Sequence, residues 1–356
     1  MANISNDIIL QAVERAINHR IHFFCYRLPG QTQLQFGAQI IEQHTPIGFY
    51  IHPFSEDKNT LPCYISAQFD AVKFLKIPLS SLPRTNCRLV MAETTDKFTY
   101  IQQAQQCIAD MQSGKYSKVV LSRTICNEYA IISWRKVFQN LLDKNPNAFV
   151  FVFHAEEAGF WIGASPEKYL SYRMNGVSTM ALAGTRLAGT AGNWGEKEQK
   201  EQKIVADYIC ETFEKVGMKY VKSDTYTRNA GLVEHLCNDF EGVLSSPTQV
   251  DKLRNYLHPT PAIAGVPSRD VVKYIKSLEK HSRRYYGGYI GPVDAWGNFD
   301  FYVNLRSLEY DSERYCMYVG GGLTADSDPE KEWQETVHKS KTLQRFLCFS
   351  KTVTLK

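Results

Sequence analysis

A chain of 356 residues with 44% hydrophobic and 22% charged side chains has the balance of a folded globular protein, which excludes disordered, fibrous and disulfide-stapled miniprotein classes. Its 41 Lys+Arg against 37 Asp+Glu leave a net charge of only +4, spread without a basic block. That excludes the electrostatic footprint of a nucleic-acid binder and points to a small-molecule partner.

Residues 1–95 carry little recognisable pattern and read as a variable N-terminal part of one domain covering 1–356, with the patterned core at 97–348. Ile101, Ala104, Ile108 and Met111 recur at helical spacing over 97–114. The β-branched run Lys118-Val119-Val120-Leu121-Ser122-Arg123 follows as a strand. A helix is predicted at 133–143, strands at 148–155, 159–164, 168–173 and 178–183, and a long helix at 195–217. A helix over 267–283 precedes strands at 285–294, 299–309 and 314–323. Asp328-Pro329-Glu330 then caps a last helix at 329–348, with Pro at its first position. Strands grouped by short turns and flanked by long helices give an α+β class rather than a doubly wound sheet.

Nine cysteines, at 25, 63, 87, 107, 126, 210, 237, 316 and 348, are odd in number and form no CxxC pair. They read as reduced, mostly buried thiols, and as neither a disulfide framework nor a zinc site. The first residues lack the basic start and apolar core of a signal peptide, and the longest apolar run, 148–153, is too short for a bilayer. The expectation is a cytoplasmic protein with no membrane partner.

Two helices carry carboxylates at i and i+3, Glu198 with Glu201 and Glu332 with Glu335. Such pairs share a helix face. If the two faces meet, their oxygens suit a hard cation such as Mg²⁺; if they do not, they are solvated faces laced with Glu/Lys pairs. Lys118, heading an apolar strand, is either an exposed strand end or a functional amine. Glu167, after the turn at Pro166, is either a wet turn carboxylate or an acid. Arg306, placed on the predicted internal strand, wants an anion for its guanidinium. Glycines at 184, 287–288 and 320–322 fit turns and bulges and lack phosphate-loop spacing, and His258 in LHPTP reads equally as structural or functional.

Taken in order, KVVLSR at 118–123, GASPE at 163–167, ALAGT at 181–185, LHPTPAIAG at 257–265, GGYIGPV at 287–293 and GGGLTADSDPEKEWQETVHK at 320–339 resemble the chorismate-utilising enzymes. These are the isochorismate, salicylate, anthranilate and aminodeoxychorismate synthases. The resemblance implies one domain of two packed antiparallel sheets with helices outside and the site buried between the sheets. Within that family a lysine at the position of Lys118 resembles the members that add water, where the ammonia users carry glutamine. Ala183 stands where aminodeoxychorismate synthases place a nucleophilic lysine.

The resemblance therefore implies Mg²⁺-dependent isomerisation of chorismate to isochorismate, for menaquinone or a siderophore, with no obligatory glutaminase subunit. It assigns Lys118 as the base that deprotonates water and Glu167 as the acid that protonates the leaving hydroxyl. Glu201 and Glu335 become metal ligands, with Glu198 and Glu332 beside them. Leu182, Ala183, Gly184, Thr185, His258, Ala262, Arg306, Gly320, Gly321, Gly322 and Lys339 become the substrate-binding set. Gln202 departs from the family's usual histidine, and a glutamine cannot titrate near neutrality. The alternatives are a salicylate synthase, which uses nearly the same residues, an anthranilate synthase large subunit, and a non-catalytic relative. At Ala262 the resemblance suggests a wall that stops the reaction at isochorismate.

Overall fold

The computed structural model describes residues 4–83, 85–86, 92–128, 133–311 and 313–347. In chain order these form α1 (Asn6–Asn18), β1 (His22–Arg27), β2 (Gln35–Gln39), β3 (Gly48–His52), β4 (Cys63–Ser66) and α2 (Ala71–Leu75). After a 3-10 turn come α3 (Lys97–Gln112), β5 (Lys118–Glu128), α4 (Trp134–Lys144), β6 (Phe149–Ala155), β7 (Gly159–Ser165), β8 (Lys168–Arg173) and β9 (Gly176–Leu187). The chain continues with α5 (Glu196–Val216), β10 (Lys219–Lys222), β11 (Tyr226–Ala230), β12 (Val233–Val243), α6 (Gln249–Leu257), β13 (Gly265–Val266) and α7 (Ser268–Leu278). It ends with β14 (Tyr289–Val293), β15 (Phe299–Val303), β16 (Ser307–Tyr310), β17 (Arg314–Leu323) and α8 (Pro329–Gln344).

The strands make two antiparallel sheets, one ordered β13-β5-β17-β16-β7-β6-β1-β2 and the other β10-β12-β9-β8-β15-β14-β3-β4, with β11 also on β12. This is the α+β architecture expected. Residues 1–95 are less separate than their sequence suggests, because β1 and β2 extend the first sheet while β3 and β4 extend the second. Phe24, Phe49, Phe149, Phe151, Phe153, Trp161 and Tyr302 form a buried aromatic layer drawn from both sheets. Every residue of β6 and β7 is buried. Both faces of those strands are covered, which is why Phe149–Ala155 reads as an unbroken apolar run rather than an alternation.

Helix ends follow their sequence signals. Asp328 accepts from the backbone N–H groups of Glu330 and Lys331 at 2.9 Å each, ahead of Pro329 at the start of α8. Asp96 caps α3 through Thr99 at 2.9 Å. Gly217 ends α5 at φ 73°, a left-handed turn that glycine adopts without strain.

Three expectations are corrected. The single strand foreseen over 299–309 is two strands in different sheets, β15 and β16, and Arg306 lies in the crossover between them at φ 49° rather than on an internal strand. The segment 219–243, unassigned from sequence, supplies β10, β11 and β12. The thiols are not all reduced: Cys126 and Cys316, directly opposed on β5 and β17, form a disulfide, while Cys25, Cys63, Cys107, Cys210 and Cys237 are free. Cys87 and Cys348 lie outside the described residues.

Candidate active site

Two crossovers between the sheets build the heart of the site. Ser165 ends β7 in one sheet and Lys168 begins β8 in the other, so Pro166 and Glu167 turn the corner; Asn304, Leu305 and Arg306 turn the matching corner between β15 and β16. The corners hold each other, with Val303 N–H donating to the Glu167 carbonyl at 3.0 Å and Ala164 N–H to the Arg306 carbonyl at 3.1 Å. An acid and a guanidinium are thus fixed by backbone hydrogen bonds at the edge of one cavity.

That cavity is lined by Glu167, Leu182, Ala183, Gly184, Thr185, Glu201, Ala262, Arg306, Gly320, Gly322 and Lys339, all of them foreseen. Gly184 has a positional reason: at φ 67° a Cβ there would stand 3.0 Å from the Glu198 carbonyl oxygen, so only glycine lets α5 close on the end of β9.

The Glu167 side chain is buried, and desolvation pushes its carboxyl up to about 8 despite the nearby positive charges of Lys118, Lys339 and Arg306. It is therefore protonated at neutral pH. Lys118 is 0% exposed, which removes the exposed-strand-end alternative, and its Nζ lies 3.0 Å from Glu201 Oε1. Burial acts to raise Glu201, but Lys118 foremost outweighs it and holds the carboxyl below its usual range.

Each of the other acids also faces a lysine. Glu332, 1% exposed, pairs with Lys197 and accepts from Ser327 at 2.9 Å, and Glu335 pairs with Lys339 at 2.7 Å. Burial first, then Glu335, raises Glu332. Gly321 and Gly322 of β17 lie against these groups. A Cβ on Gly321 would lie 3.4 Å from Glu332 Oε2 and 3.8 Å from Glu335 Oε1, whereas one on Gly322 would collide with Glu201 Oε1. Glu198 is not brought into this group, since its carboxylate folds back over Gly195 at the start of α5.

With each acid turned to a lysine, no three His, Cys, Asp or Glu side chains among the described residues are arranged as a metal cage. The donor set nonetheless fits a hard cation. It is all oxygen, and Glu332 Oε2 is buried without a hydrogen-bond partner. A Mg²⁺ ion needs only one or two protein carboxylates beside water and substrate.

His258 is a further correction, because it does not reach the cavity. Its Nε2 meets the carbonyls of Pro53 and Phe54 at 3.0 and 3.1 Å, its ring packs edge-on to Tyr289 at 5.1 Å, and burial lowers it to about 3. It serves as an uncharged packing group. Sequence reading missed His235, which lines the cavity from β12. Arg306 Nη2 lies 2.8 Å from His235 Nε2, and a guanidinium only donates, so that nitrogen accepts. The ring proton is then on Nδ1 and donates to the Gly184 carbonyl at 2.9 Å. Arg306, lowered by burial to about 10, also donates to the Ala230 carbonyl and has no carboxylate partner among the described residues. The buried pair Glu279–Arg283, at 2.6 Å, was missed too. It ties Ser122 N–H of β5 at 2.7 Å to the Ile263 carbonyl at 2.9 Å.

The sequence pattern described as chorismate binding enzyme matches residues 54–348, the greater part of the chain. The chain belongs to that family. Among its curated relatives, the isochorismate synthase EntC of Escherichia coli (strain K12) is 29% identical over 260 residues, covering 70% of this chain and 66% of the relative. Component 1 of the anthranilate synthase of Saccharolobus solfataricus is 27% identical over 265 residues, covering 71% of this chain and 62% of the relative. Among solved structures, the menaquinone-specific isochorismate synthase MenF of Escherichia coli superposes with a TM-score of 0.75 at 21% identity, over 92% of this chain and 89% of that one. Identity to the isochorismate synthase and to the anthranilate synthase component is thus nearly equal, 29% against 27%. Among the described residues, no helix is long and apolar enough to cross a membrane.

Proposed function

We propose that this chain is an isochorismate synthase that moves hydroxylation from carbon 4 to carbon 2 of the chorismate ring. The observation that carries the reading is a carboxyl held protonated up to about pH 8 at the cavity, together with a fully buried lysine paired to Glu201, another residue of the cavity wall. Acid–base catalysis needs one group to give a proton and another to take one, the roles that Glu167 and Lys118 would fill.

Lys118, in its neutral form, takes a proton from water at Nζ as the water oxygen bonds to carbon 2. The ring double bonds shift, the carbon 4–oxygen bond breaks, and Glu167 gives its proton to the departing hydroxyl, which leaves as water. No electrons are gained or lost overall. Arg306, with no carboxylate partner among the described residues, binds one substrate carboxylate. Lys339 and the backbone N–H groups near Gly184 and Gly321 stand by for the other. Lys118 in place of glutamine favours water over ammonia, so no glutaminase subunit is required.

Glu201 and Glu335 would hold Mg²⁺, with Glu332 beside them. Bound there, the ion supplies positive charge against the substrate's ring carboxylate. The test is incubation of purified protein with chorismate and Mg²⁺, with and without EDTA, and mass spectrometry of the products. An isomer of unchanged mass that disappears with EDTA is the expected result. Salicylate with pyruvate, an aminated product formed only with ammonia, or no product would each overturn the proposal.

A further inference from the structure

Tyr100, on α3, is fully buried, yet its hydroxyl has no hydrogen-bond partner among the described residues. Its ring is accounted for by packing, with Trp333 of α8 at 5.6 Å between centroids. A phenylalanine would pack equally well there and would leave no stranded oxygen, so the hydroxyl is an expense that packing does not explain.

Where that oxygen sits supplies the reason. Gly321 lies in strand β17 with no left-handed backbone to demand glycine. What its missing side chain leaves is space. A Cβ at Gly321 would meet Glu332 Oε2 at 3.4 Å, the Tyr100 hydroxyl at 3.7 Å and Glu335 Oε1 at 3.8 Å. Three oxygens from two helices thus converge over Gly321, and two of them, Tyr100 Oη and Glu332 Oε2, lack hydrogen-bond partners among the described residues. A polar gap with two to four hydrogen-bonding neighbours is where an ordered water resides. The phenol supplies a donor, and the carboxylates supply acceptors.

We propose that Tyr100 is a positioning residue of the cation site, donating its hydroxyl hydrogen to a water that Glu332 and Glu335 share and that belongs to the shell of the bound ion. The inference rests on the cation reading given above. Tyr100 is not among the residues that line the cavity. Its effect reaches the reaction only through the two carboxylates and their ion. Removing such an outer hydrogen bond weakens metal sites about 10- to 100-fold.

The experiment measures Mn²⁺ binding by electron paramagnetic resonance on the full, substrate-free chain, for the wild type, Tyr100→Phe, Gly321→Ala and Glu335→Gln. Tyr100→Phe should bind Mn²⁺ about 10-fold more weakly while melting in EDTA at the wild-type temperature. Gly321→Ala, which adds a methyl group in contact with all three oxygens and so crowds the water, should weaken binding in the same direction. Tyr100→Phe with wild-type affinity, beside a Glu335→Gln that loses binding, would overturn the role of Tyr100 and leave the cation site standing. A lower EDTA melting temperature with unchanged affinity would assign the hydroxyl to folding alone, also against the proposal. A wild type that binds no Mn²⁺ would overturn both readings.

Discussion

Glu167→Gln should make the protein more stable and less active at the same time, and the size of the stability gain should depend on pH in a calculable way. In the folded chain the carboxyl titrates near 8, against 4.5 for an ordinary glutamate. The folded value is the raised one, so the stability Glu167 allows is fully present below pH 4.5 and is lost as pH rises to about 8, because the unfolded chain ionises first. At about 1.36 kcal/mol per unit, the loss is about 1 kcal/mol at pH 5 and about 3 kcal/mol at pH 7, levelling near about 5 kcal/mol above pH 8. Glutamine has nearly the same shape and does not titrate, so the variant escapes the loss; every other ionisable group is common to both proteins and cancels. Urea unfolding of both proteins at pH 5 and 7, in EDTA and without substrate, should show the stability difference growing by about 2 kcal/mol in favour of the variant. Turnover should fall about 100- to 10,000-fold, the usual contribution of a positioned acid. A difference that stays constant across this pH range would refute the claim that the carboxyl is held protonated, whatever happens to turnover.

Wild-type kcat/KM should decline above about pH 8 as Glu167 ionises, a limb absent from the residual activity of the glutamine variant. Lys118→Ala should abolish turnover while chorismate still binds measurably by calorimetry, and near-normal turnover would remove Lys118 from the mechanism. Arg306→Lys keeps the charge but loses the planar fork that spans Ala230, His235 and an anion, so KM should rise at least about 10-fold. An unchanged KM would place the substrate carboxylates elsewhere. Gly322→Ala drives a methyl group into Glu201 Oε1 and should abolish activity with little change in the yield of folded protein.

Much of the site was legible because its chemistry sits on local motifs. Lys118 begins a strand, Glu167 follows Pro166 in a turn, and both acid pairs sit at helical spacing, all visible within a few residues. What could not be read depends on partners far apart in sequence. Phe299–Tyr310 carries strand-forming residues almost throughout, and nothing in their order marks the change of sheet at Arg306, which emerges only as a left-handed backbone. The disulfide joins cysteines 190 residues apart and needs the register of β5 against β17. His235 sits on β12 among polar neighbours that hide the strand, and its role comes from Gly184 and Arg306, which no short window contains. The short strands of residues 22–66 pair locally as β1 with β2 and β3 with β4, but β1 and β3 join their sheets through β6 and β14, far along the chain.

The same arrangement bears on how the chain is made. β3 takes its register from β14, with Tyr50 opposite Gly291, and β1 takes its own from β6, with Cys25 opposite Val152. A nascent chain therefore emerges with its first strands complete and their neighbours unsynthesised, and β3 must wait for more than two hundred further residues before it can dock. Pairings this distant close slowly, since the entropy of the loop is lost before any contact repays it. Until the last third of the chain leaves the ribosome, Phe49 and Ile51 of β3 lack the strand on which they dock.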